Sequence, residues 1–78
     1  MRRTFTDDQF DEWEAFVSGG QPGGSQAARI VFNCISTPRR RPRHVIHASG
    51  DPAEAERELH SMDDAGVVEL FESSEELA

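Results

Sequence analysis

At 78 residues the chain has room for one domain, residues 1–78, with a thin core. Charged residues make up 29% of it and apolar residues 36%, with a net charge of −7. That balance opposes nucleic-acid phosphates and anionic membranes overall. The single cysteine excludes an internal disulfide, and no run approaches the ~20 apolar residues needed to span a bilayer.

The start, Met1-Arg2-Arg3, leads into charged residues rather than an apolar signal run, so the cytoplasm is the expected compartment. Phe5-Thr6-Asp7-Asp8-Gln9-Phe10 then reads as a helix N-terminus. Thr6 is placed to cap it, Gln9 closes a capping box three residues on, and Phe5 and Phe10 take the two staple positions. Phe10, Trp13, Phe16 and Val17 fall on one helical stripe, and Gly19-Gly20 ends it. Residues 21–26 (QPGGSQ) form a loop by composition.

Residues 27–36 (AARIVFNCIS) alternate at period two with β-branched residues, which predicts a strand. Residues 37–42 (TPRRRP) make a proline-bracketed turn into a second strand over 43–48, closing an antiparallel hairpin. Asp51-Pro52-Ala53-Glu54 opens a second helix, with Asp51 as cap and Pro52 in the first turn. Ala55, Leu59 and Met62 form its apolar stripe, and Asp63 to Gly66 stop it. Residues 67–72 (VVELFE) read as a third strand and 73–78 as a frayed acidic tail.

The predicted fold is therefore α+β, a two-layer sandwich of order α-β-β-α-β. A three-stranded mixed sheet, in the order 2-1-3, would carry both helices on one face.

Charge is partitioned along the chain. Residues 1–18 carry −3, residues 25–50 carry +5, and residues 51–78 carry −9. The positive block centres on Arg39, Arg40, Arg41 and Arg43. Guanidinium forks match phosphate oxygens, so this hairpin is the candidate phosphate-binding element. The alternative is a solvated turn balanced by the acidic segments.

The remaining chemistry is sparse. His44 and His47, three apart on a strand, point to opposite faces and do not chelate one ion. Cys34 falls on the apolar side of its strand and reads as core. The glycines of residues 19–24 follow a helix rather than a strand, so they are not a nucleotide loop. No catalytic site, metal, cofactor or small-molecule ligand is expected.

The outer sheet face carries the functional expectation. Ala28, Ile30, Phe32 and Cys34 would face the helices, leaving Val31 and Ile35 outside. Val45 and His47 would join them, as would Val67 and Phe71 of the third strand. Val31, Ile35, Val45, Val67 and Phe71 would form an apolar patch that nothing in the chain is left to cover. The expected function is thus a non-enzymatic interaction protein that uses this face, self-associating as a homodimer or binding another protein. A nucleic-acid-binding module using the arginine hairpin is second.

Overall fold

Residues 12–18 alternate as strictly as residues 29–34, and the two segments pair side by side at the centre of one sheet. The structure, a computed structural model, describes residues 2–19, 27–36, 40–47 and 50–76. It contains β1 (Arg3–Thr6), β2 (Glu12–Ser18), β3 (Arg29–Cys34), β4 (Arg43–Ile46), α1 (Pro52–Ser61), α2 (Asp64–Ser73) and β5 (Glu75–Glu76). The strands form one antiparallel sheet in the order β1-β2-β3-β4-β5. The expected α-β-β-α-β order and three-stranded mixed sheet are thereby corrected: the two helices follow four strands, and every pairing is antiparallel.

Two elements account for the correction. The segment read as the first helix is the β1–β2 hairpin. Thr6 ends β1, exposed and opposite Glu12, and caps nothing. The stripe Phe10, Trp13, Phe16 fits a helix, but Trp13, Ala15 and Val17 also alternate with Glu12, Glu14 and Phe16. Pairing with β1 on one side and β3 on the other satisfies this backbone twice over. Strand preference set by neighbours therefore overrides a local cap signal.

The segment read as the third strand is α2. Asp63 stops α1 and also starts α2, its side chain accepting from the Gly66 N–H at 2.8 Å. Val67 and Phe71, four apart, then lie on one helix face. α1 begins at its Asp51 cap with Pro52 in the first turn, and it buries Ala55 and Leu59.

Register assigns the faces. Phe5 pairs with Trp13, Ala15 with Phe32, Trp13 with Cys34 and Ile30 with Val45, all on the side that carries both helices. Phe5, Trp13, Ala15, Ile30, Phe32, Cys34, Leu59 and Val67 make the core. Phe71, half-buried, packs against it, with its ring 4.6 Å from Trp13, 5.4 Å from Phe5 and 5.5 Å from Phe32, measured between centroids. Such tilted and edge-on pairs add to the burial term.

Two inward-pointing arginines close the helix ends. Arg3 donates to the Leu59 carbonyl at 2.8 Å and to the Met62 carbonyl, and it pairs with Asp64 at 3.0 Å. Arg43 donates to the Ser74 hydroxyl at 2.8 Å and to the Ser74 carbonyl. Carbonyls at a helix C-terminus lack intrahelical partners, and guanidinium N–H groups supply them here. Among the described residues no helix is long and apolar enough to cross a membrane.

Candidate functional site

The face turned away from the helices carries Thr4, Glu14, Phe16, Arg29, Val31, Asn33, His44 and Ile46, as the register requires. Phe16, Val31 and His44 stand in one row across β2, β3 and β4. Ile46 is 61% exposed beside that row, and Ile35, just past β3, is 40% exposed. Charges frame the apolar centre. Arg2 lies over the Phe16 ring at 5.2 Å and reaches Glu14 at 3.1 Å, and Glu14 also accepts from Asn33. Among the described residues, no element packs on this side.

Of the five residues expected on this patch, the structure places Val31 and Ile35 there. Val45 pairs with Ile30 and packs against the core. Val67 and Phe71 lie on α2, the first fully buried and the second among the core rings. His47, also expected outside, turns toward α1 and meets Glu58 at 2.5 Å. Phe16 and Ile46 take the vacated places. Phe16 also fits the expected helix stripe, and Ile46 is visible in the β4 alternation once Val45 is placed inside.

Of the expected phosphate clamp, Arg40 is drawn into an ion pair and Arg43 into a helix cap. Arg39 lies outside the described residues. Arg40 bridges the Gln9 amide oxygen at 2.6 Å and the Asp11 carboxylate at 3.1 Å. Arg43 is committed to Ser74 and stacks over Phe71 at 5.5 Å. Arg41 is exposed. These three line a cleft of about 490 Å³, but Asp7, Asp8 and Glu76 line it too, so its wall has no positive excess.

A second opening is more apolar. A groove of about 450 Å³ runs between β4 and the helices, floored by Ile30, Val45, Met62 and Leu70, with Glu54 and Glu58 on its rim. The β1–β2 turn is held by several hydrogen bonds. Asp7 is buried, and its carboxylate accepts from the Gln9 and Asp11 backbone N–H groups, each at 2.9 Å, and from the Trp13 indole at 3.0 Å. At its tip Phe10 is 86% exposed, with φ at +66°. The sequence marks Phe10 as half of a staple and as part of a helical stripe, which is why its display is not legible there.

No metal-binding set of three His, Cys, Asp or Glu side chains converges among the described residues. Cys34 is fully buried. Burial pushes its thiol pKa up, but hydrogen bonding from the Arg40 backbone and from Ser36 outweighs this, against a smaller upward pull from Asp11. The net result lies below the ordinary value.

Comparison with known proteins returns no matching family model, curated protein or solved structure, so the functional argument rests on this chain's own surfaces.

Proposed function

We propose that this chain is a non-enzymatic interaction module that pairs with a second copy through the outer face of its sheet. One observation carries the reading. The row Phe16, Val31 and His44, with Ile46 and Ile35 beside it, lies on the face opposite both helices. A sheet with apolar residues on both faces is ordinarily covered on both. A two-fold arrangement supplies the missing layer by setting this face against itself. Arg2, Glu14 and Arg29 around the apolar centre would form the polar rim typical of such contacts.

Sedimentation velocity over a concentration series tests the proposal. The parent chain should move above monomer mass at high micromolar concentration. Val31→Lys, which sets a charge in the middle of the row, should weaken self-association with unchanged circular dichroism. Ile35→Lys, at the patch edge and outside the strand, should weaken the dimer less. A parent that is monomeric throughout the series removes the reading.

A further inference from the structure

Phe10 is displayed at some conformational cost. Backbone with positive φ suits glycine and, less well, asparagine or aspartate, and a bulky side chain there is a genuine outlier. Yet this turn places a phenylalanine at φ +66° and leaves it 86% exposed. The base beneath it is stiff. The buried Asp7 carboxylate holds two backbone N–H groups and the Trp13 indole, and the Phe10 N–H bonds the Asp7 carbonyl at 3.1 Å. Arg40 ties Gln9 and Asp11 together from outside. A rigid, projecting aromatic of this kind is the usual anchor of a protein contact, because little freedom is left to lose on binding.

The molecule also carries a receptor suited to it. The groove floored by Ile30, Val45, Met62 and Leu70 has about 450 Å³ of space, ample for one aromatic ring. It lies at the other end of the sheet. The β1–β2 turn adjoins the end where Trp13 pairs with Cys34, whereas the groove adjoins the end where Arg29 pairs with Ile46. One pair of opposite charges is placed to meet across such a contact. Arg41 lines the cleft beside Asp8 and Gln9, and Glu54 stands on the groove rim. Both are exposed, and neither has an ion-pair partner among the described residues.

We infer that Phe10 of one copy seats in this groove on a second copy, with Arg41 meeting Glu54. Because knob and groove lie at opposite ends, two copies lying antiparallel can make the contact twice. The groove is lined mainly by helix residues and inward-facing strand residues and shares only Ile46 with the outer sheet face, so this contact is separable from the pairing through that face by changes at Val31.

The test is sedimentation equilibrium at ~150 mM salt, which screens repulsion between two acidic copies. It uses the Val31→Lys chain, whose outer face is disabled. That chain should still associate. Adding Phe10→Asn, which keeps the left-handed backbone but removes the ring, should weaken association at least ~30-fold, as loss of a central aromatic anchor does. Arg41→Glu and Glu54→Arg should each weaken it by a factor of about 2–5, as expected of exposed charge pairs, and combining both in one chain should restore it.

A folded Val31→Lys chain that is monomeric at every concentration overturns the inference, and it leaves the sheet-face reading standing if the parent dimerises. Association that survives Phe10→Asn overturns it too. If the charge swap fails to restore association, the groove is not the receptor. A Val31→Lys chain as associated as the parent, and monomeric once Phe10→Asn is added, upholds this contact against the sheet face.

Discussion

Asp7 is the side chain on which most of the local order depends. A buried carboxylate is tolerable only when its lone pairs are satisfied, and here two backbone N–H groups and an indole N–H satisfy them. All three donors need an acceptor, so the near-isosteric Asp7→Asn is a poor replacement. Its oxygen serves one side of the site, while its amide turns a donor toward another donor. The expected cost is about 2–3 kcal/mol, the scale of a buried polar group left unpaired. Urea unfolding measures it, and a cost under ~0.5 kcal/mol would mean that the carboxylate does not hold the turn. Composition and spacing mark Asp7 only as an acid near a helix start. Its role depends on Trp13, six residues on, folding back across the hairpin.

At the scale of elements, the same kind of signal is right in two places and misleading in a third. Asp51 and Asp63 cap helices, accepting from the Ala53 and Gly66 N–H groups. Thr6 has the neighbours of a cap and none of the geometry. Asp63→Ala should therefore destabilise the chain by about 1 kcal/mol, while Thr6→Ala, at an exposed strand end, should change it by less than ~0.5 kcal/mol. Chemical denaturation of the pair decides between hairpin and helix for residues 3–18, since a helix there reverses the order of the two effects. The arginines differ in the same way. Arg3 and Arg43, scattered charges in the sequence, each close a helix C-terminus, whereas Arg40 within the positive block is held by the β1–β2 turn.

For the whole molecule, closure of the core depends on α2 bringing Phe71 against Phe5, Trp13 and Phe32. Rings from β1, β2, β3 and α2 meet at one point, so damage there should be global. Phe71→Asp places a charge among three aromatic rings and should abolish cooperative unfolding and the near-ultraviolet dichroism of Trp13. Loss of the aromatic alone costs about 3–5 kcal/mol, a large share of the stability available to a domain of this size. A folded, monomeric Phe71→Asp chain would return Phe71 to the surface and contradict the face assignment. The outer-face and Phe10 variants change residues outside this cluster, so they should alter association without altering the fold.

Strong local chemistry made the β3–β4 hairpin, α1 and its Asp51 cap readable from residue order alone. Strict alternation in residues 29–34 and the Asp-Pro start of α1 each agree with a single conformation. The acidic balance and the positive block were readable on the same terms. Residues 3–18 and 67–72 were not, because each satisfies two periodicities at once. Trp13, Ala15 and Val17 alternate while Trp13 and Phe16 also share a helical stripe, and Val67 and Val68 favour a strand until Asp63 caps the turn before them. Pairing with β1 and β3, and the demand of the core for Phe71, chose between the alternatives. These are contacts between residues far apart in the chain, and their free energy exceeds local propensity. The two surfaces proposed to act follow from that choice: once Val67 and Phe71 are drawn inside, Phe16 and Ile46 hold the open face and Phe10 is left at the tip.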